Sequence, residues 1–461
     1  MRLTSIAVLA AAALAAQVPN TLRVDYVHTG SATEEQFALD GLVAEGPWPG
    51  HPGRAIDDTN FGRYYFEVRD LSTNRLLYSR GFSSIYGEWE TTDEAKIVRR
   101  AFHESLRFPL PAVRFQIILK KRDARNAFRE VWSHVADPAD PAIDRTSPSG
   151  QAALWAVMKN GEPRDKADLL LMGDGYNSAE MEKWRKDAKR LAETLFAVSP
   201  FKERRGEFNV WALDTPSAES GVARVSDNVH RRSALRVNYD AFGSERYILS
   251  FDNKRLREAA AGAPYEFIGI IVNGRKYGGG GIYNLYATVA ADNAFTPYIF
   301  VHEFGHHFAG LADEYYTSDV AYSSTSERPE PWELNVTADP AGKRWADLHT
   351  PGVPLPTSWP KDDFEAWQKD YQAQRRKIRA EKRPEEEMEA LFHQERARTT
   401  EILRRGEHVK AVGAFEGAMY QAKGYYRPQA DCIMFSRDEV PFCAVCRRAI
   451  ERVIELYTPA R

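Results

Sequence analysis

Between Ala136 and Gly150 the chain reads ADPADPAIDRTSPSG, and the two stretches it separates are written in different periods. Ahead of it, from Thr21 to Asp137, apolar and polar residues alternate in TLRVDYVHTG, RYYFEVRD, NRLLYSRGF and VRFQIILKKRD, each bounded by turn-formers. That two-residue period is the mark of half-buried strands and predicts a small β-sandwich. Beyond it, continuous apolar runs such as ADLLLMGDGY (Ala167 to Tyr176), FNVWALD (Phe208 to Asp214) and YEFIGIIVN (Tyr265 to Asn273) alternate with helical patterns. Buried strands interleaved with helices make an α/β layer. The Pro, Asp and Ser residues between them suit a linker. The chain is therefore expected to be multidomain, an N-terminal β-sandwich over 17–137, a linker over 138–150 and an α/β or α+β domain over 151–461.

The first sixteen residues, MRLTSIAVLAAAALAA, set one Arg before a short apolar run ending in small residues, the build of a secretory signal peptide. A membrane span needs about 20 apolar residues, so export without a membrane anchor is expected, to the periplasm or beyond. Charges of both signs are mixed along the chain, with 62 basic against 65 acidic residues, and no basic stripe points to nucleic acid. The cysteines, Cys432, Cys443 and Cys446, all lie near the C-terminus. In an oxidising compartment two are expected to pair, leaving one over. A zinc site built on all three lacks a nearby His to complete it. From Lys361 to Glu407 the sequence is strongly charged, with Phe364, Trp367, Tyr371, Met388, Leu391 and Phe392 at helical spacing and Pro384 placed to split two helices. This reads as a solvated helical hairpin inserted into the second domain (361–407).

VHEFGHHFAGLADEYY, Val301 to Tyr316, carries the chemistry. His302 and His306 stand four residues apart, so one helical face presents both imidazoles to a zinc ion. Glu303 beside them is placed to hold the attacking water and take its proton. Gly310 suits a left-handed helix cap, after which the chain can return Asp313, or alternatively Glu314, as the third ligand; Glu314 could instead orient an imidazole. His307 points about 100° away from His306 and reads as a packed, hydrogen-bonded histidine. In metzincin zinc peptidases the helix likewise ends at a Gly, the third ligand follows three residues later, and a Met lies in a turn beneath the metal. Asp313 keeps the Gly-to-ligand spacing, with one extra residue between His306 and Gly310, and Met434 in Cys-Ile-Met-Phe-Ser fits the turn. Some metzincins carry a Tyr two residues after that Met; here the position is Ser436, and Tyr426 is the substitute oxyanion donor. The strand pattern of Ile282 to Val289, through Ile282, Asn284 and Tyr286, is read as the edge along which a substrate peptide pairs.

DLLLMGDGYNSAEM, FNVWALDTPSAESGV, HEFGHHFAGLADEY, EPWELNVTADP, KRWADL and GAFEGAMYQAKGYYRPQADCIM together resemble the IgA-peptidase family of zinc metallopeptidases, the family M sixty-four. TLRVDYVHTG, IYGEWETTDEA and FHESLRFPLP are similar to that family's N-terminal domain. The resemblance spans nearly the whole mature chain, least so Lys361 to Glu407. It implies a secreted endopeptidase with a metzincin-like catalytic domain, one zinc ion on His302, His306 and an acidic residue after Gly310, and Glu303 as base. Protein or glycoprotein substrates follow, IgA-like hinges among them, with general extracellular proteolysis the broader expectation. The rival readings are an exopeptidase or amidase on small substrates, and an exported glycan- or protein-binding chain whose zinc is structural. The oligomeric state is not written in the sequence.

Overall fold

The computed structural model describes residues 18–146, 153–317 and 328–459; the expected signal peptide and the last part of the expected linker lie outside them. Seven antiparallel strands form the N-terminal part. They are β1 (Asn20–Gly30), β2 (Glu35–Pro47), β3 (Tyr64–Asp70), β4 (Leu76–Phe82), β5 (Arg100–Pro109), β6 (Phe115–Arg122) and β7 (Phe128–Ala136). One sheet runs β2-β1-β5 and the other β4-β3-β6-β7. Leu22, Val24 and Tyr26 of the first face Phe66, Val68, Ile117 and Leu119 of the second across a shared core. The four alternating patterns are β1, β3, β4 and β6. The remaining three strands carry weaker signals for physical reasons. β2 and β7 are edge strands with mostly open faces, and β5 buries Glu104, whose carboxylate meets the Tyr26 hydroxyl and His28.

Beyond the linker, β8 (Leu154–Met158), β9 (Ala167–Asp174), β10 (Phe208–Leu213), β13 (Phe267–Val272), β14 (Gly279–Ile282) and β15 (Tyr286–Ala290) make one sheet in the order β14-β15-β13-β9-β10-β8. A short pair, β11 (Val237–Asn238) and β12 (Leu249–Ser250), stands apart. The four central strands are parallel and the two outer ones antiparallel. Alternate residues of β9 enter separate cores, Leu169 and Leu171 on one face, Leu170 and Met172 on the other. A strand buried on both faces reads as an unbroken apolar run, which is why these were legible.

The first face is covered by α2 (Met181–Leu195), α4 (Thr296–Ala309) and α7 (Ala444–Tyr457). On the second face lie α3 (Asn253–Ala260) and, from the sandwich, α1 (Ile85–Trp89), which inserts Tyr86 and Trp89. Hydrogen bonds from Ser83 N to Tyr283 O (2.9 Å) and from Asn284 Nδ2 to Gly81 O (3.0 Å) fasten the two parts together. Pro384 separates α5 (Lys361–Ala380) from α6 (Glu385–Arg404), and their stripe of Phe364, Tyr371, Met388, Leu391 and Phe392 joins the first core. A last hairpin, β16 (Phe415–Ala418) and β17 (Gln421–Arg427), precedes α7. Among the described residues no helix is long and apolar enough to cross a membrane.

The edge of the sheet is not where the sequence pattern sets it. β15 is hydrogen-bonded on both sides, and the glycine run Gly279 to Gly281 forms the outer strand β14 instead. Ile282 ends β14 and is buried, Asn284 sits in the connecting turn at φ 55°, and Tyr286 is buried with its hydroxyl on Ser250 O. Ile282 thus closes the outer strand, while Asn284 and Tyr286 lie off it. The glycines have no side-chain period to read, yet the packing demands them: β14 lies directly on α4, and a Cβ on Gly281 would stand 2.1 Å from the Glu303 carbonyl oxygen. Gly281→Ala is therefore expected to force strand and helix apart and to destabilise the fold by about 3 kcal/mol. A urea midpoint unchanged from the parent chain would contradict this contact.

Candidate metal centre

Helix α4 begins with Pro297 in its first turn, where the missing N–H costs nothing. It ends at Gly310, whose φ of 56° lets its N–H reach His306 O while Leu311 N reaches Gly305 O. A side chain there would also strike Trp332, 2.5 Å from the Cβ position. This cap turns the chain back over the helix. Asn335, fully buried, then holds the returning loop by accepting from Ala312 N (2.8 Å) and donating to Ala312 O (2.9 Å).

The reversal carries Asp313 to the histidines. Its Oδ1 lies 3.1 Å from His302 Nε2 and 3.2 Å from His306 Nε2, and the two Nε2 atoms are 3.2 Å apart. The Nδ1 of His302 donates to Ile433 O (2.9 Å) and that of His306 to Leu311 O. With each Nδ1 committed to a carbonyl, both Nε2 atoms turn toward the same point as a carboxylate oxygen. Two imidazole nitrogens and a carboxylate oxygen thus converge in a group that could hold a metal ion. Positive charge is favoured at this point: burial opposes it on His306, but Asp313 and Glu303 outweigh burial and hold the imidazole up to about 9. Burial likewise opposes ionisation of Asp313, and the imidazoles overcome it and keep that carboxyl well below the usual range. Tyr420 donates its hydroxyl hydrogen to Asp313 Oδ2 and fixes the carboxylate from behind.

Glu303 stands beside His302 and faces the cleft, its carboxyl raised by burial against the opposing pull of the two histidines. Met434, fully buried, packs beneath α4, its Sδ 3.1 Å from where a Gly305 Cβ would stand. His307 behaves as a fastening residue. It accepts from Ile268 N at Nε2 (3.2 Å) and donates from Nδ1 to Ile282 O (3.1 Å), and burial lowers its pKa to about 3.

Glu314 does not join the histidines. Its carboxylate turns to the opposite side of the loop, where Oε1 meets Asn335 Nδ2 (3.0 Å) and two cysteines. The expected cystine is not formed either, since all three cysteines are free and buried. Tyr426 lies on β17, its backbone paired with Thr337, away from the cleft. The polar groups near Glu303 are instead Tyr315, Tyr420 and Arg246, with Arg246 Nη2 donating to the Tyr315 hydroxyl (3.3 Å). Tyr420 is placed by the β16–β17 turn, where Met419 and Tyr420 take φ values of 48° and 60° and their N–H groups bond Asp313 O and Tyr315 O. No turn-former announced that geometry. Tyr315 sits inside the quoted motif and could have been singled out for its position after the two acids.

A cleft of about 380 Å³ opens over this group. The second domain supplies Glu303, His306 and Asp313, while the sandwich contributes Arg63, Ser83 and Glu88 to the wall. Residues 155–454 match the family model for IgA Peptidase M64, which takes in the α/β sheet, α4 and the loop carrying Asp313. The chain belongs to the IgA peptidase family. Residues 15–133 match the model for the Peptidase M64 N-terminus, so the sandwich also has its counterpart in the family. Curated proteins yield no match to the chain. Members of the IgA peptidase family are metallopeptidases, which assigns this chain to the hydrolases acting on peptide bonds.

Proposed function

We propose that the chain is an exported, zinc-dependent endopeptidase with a metzincin-like catalytic domain, acting on extracellular proteins or glycoproteins, IgA-like hinges among the candidate substrates. The observation that carries this reading is the convergence of His302 Nε2, His306 Nε2 and Asp313 Oδ1 within 3.2 Å, with both Nδ1 atoms held by carbonyls. Two nitrogens and one carboxylate oxygen are a donor set that zinc accepts, with a fourth position left for water or substrate. Bound there, zinc would polarise the scissile carbonyl and acidify its water. Met434 fits the floor of such a site.

The chain's own groups do the rest. Glu303 accepts the proton of the attacking water, and the raised carboxyl suits it to release that proton to the leaving amine. Arg246, which also orients the phenol of Tyr315, brings positive charge to the cleft wall where the oxyanion develops. Backbone of β14 at Gly281 lines the same cleft and is the surface available to an extended substrate, whereas Gly279 already bonds Arg246 O and Ile248 N.

The Tyr315 phenol, held at the same cleft wall, is placed to donate to that oxyanion, so Tyr315→Phe is expected to lower kcat about 100-fold with little change in KM. Equal kcat in the two proteins would remove Tyr315 from that role. The function itself is tested by incubating the chain with an unfolded-protein mixture and sequencing the new termini. Cuts at internal bonds are expected; stepwise removal of terminal residues alone would transfer the chain to the exopeptidases.

A further inference from the structure

Behind the catalytic loop a second group of metal-binding side chains converges, assembled from residues far apart in sequence. Cys432 Sγ and Cys446 Sγ are 3.9 Å apart; Glu314 Oε1 lies 3.2 Å from Cys446 Sγ and 3.7 Å from Cys443 Sγ. All four side chains are buried, and their ligand atoms fall within 4.8 Å of one another. Tetrahedral zinc, with bonds of about 2.3 Å to sulfur and 2.0–2.2 Å to oxygen, sets its ligands roughly 3.5–3.8 Å apart. The three separations of 3.2, 3.7 and 3.9 Å bracket that range. Further observations point to a bound cation. Backbone N–H groups converge on sulfur, Cys443 N (3.2 Å) and Met434 N (3.5 Å) on Cys432 Sγ, and Cys446 N (3.4 Å) on Cys443 Sγ, as they do around ligating thiolates. The other carboxylate oxygen, Glu314 Oε2, is buried with no hydrogen-bond partner. A buried carboxylate left half-unsatisfied among sulfurs is costly unless a positive ion shares the pocket.

We infer that Glu314, Cys432, Cys443 and Cys446 hold a second, structural divalent metal ion, zinc by the softness of the sulfur ligands. Each ligating thiol gives its proton to solvent on binding. With four protein ligands the site is closed and has no position for substrate. Its place explains its use. Cys443 caps the N-terminus of α7, and Cys432 begins the turn whose Ile433 O accepts from His302 and whose Met434 O accepts from Glu314 N (2.9 Å). One ion would thus tie α7, the turn beneath α4 and the loop that delivers Asp313 into a single support. The site goes beyond the peptidase reading and does not depend on it.

The test is metal analysis of the full mature chain, with cobalt exchanged for zinc as a spectroscopic probe. About two zinc ions per chain are expected, and about one in His306→Ala. Cobalt-loaded His306→Ala should keep an intense sulfur-to-cobalt charge-transfer band, which Cys446→Ser loses and Glu314→Gln weakens. A mass lowered by two hydrogens with one titratable thiol would reveal a cystine in place of the metal and overturn the inference. So would a cobalt-loaded parent chain without the sulfur band, whether or not it cuts peptides. Because the decisive spectrum is that of the parent, a variant that fails to fold leaves the test intact.

Discussion

Glu303→Gln is expected to lower kcat/KM by about 10³-fold, near 4 kcal/mol of transition-state stabilisation, while the chain keeps its metal and its melting temperature. The carboxylate contributes no atom to the converging group of His302, His306 and Asp313, so metal affinity should survive its removal. Gln has nearly the same shape, so the packing of the side chain against Gly279 should survive as well. What Gln lacks is a site for the proton. Turnover within tenfold of the parent, measured on the same peptide, would show that another group accepts it.

Asp313→Ala should have the other large effect, by a different route. It removes the carboxylate in contact with both imidazoles, and with it one partner of the Tyr420 hydroxyl. Metal affinity should fall by more than the roughly 10–100-fold that loss of an outer partner costs, with activity at background. Competition against a chromogenic chelator reads this directly. Affinity equal to that of the parent would show that the metal sits elsewhere.

The neighbouring positions explain how much of this site was legible in the sequence. A spacing of four on a helix fixes which side chains share a face, so His302 and His306 could be paired and His307 set aside from sequence alone. The Gly310 cap likewise follows from the cheapness of a left-handed glycine. Choosing between Asp313 and Glu314 needed the path of the returning loop, and that path is set by Asn335 and by the turn at Ile433 and Met434, contributed from distant stretches of chain. Adjacent residues leave an extended strand in opposite directions, and the two acids do turn to opposite sides of their loop.

Strands followed the same rule. β9, β10 and β13 are buried on both faces and announce themselves by composition, whereas β14 is built of glycines because a side chain at Gly281 would strike the backbone of α4. A close backbone approach leaves no hydrophobic period behind. The sequence pattern accordingly sets the edge one strand too late, at Ile282 to Val289. Tyr426 was misplaced for a related reason: the phenol that reaches Asp313 is brought there by positive φ at Met419 and Tyr420, residues that do not advertise a turn.

Whether His302, His306 and Asp313 bind the metal on which peptide cleavage depends is tested most directly by stripping and restoring the ion. The purified chain is dialysed against a chelator, assayed for internal cleavage of an unfolded-protein mixture, and assayed again as zinc is returned. Cleavage should disappear with the metal and return as zinc refills the site, and Asp313→Ala should not recover. Cleavage that persists in the metal-free chain would contradict it.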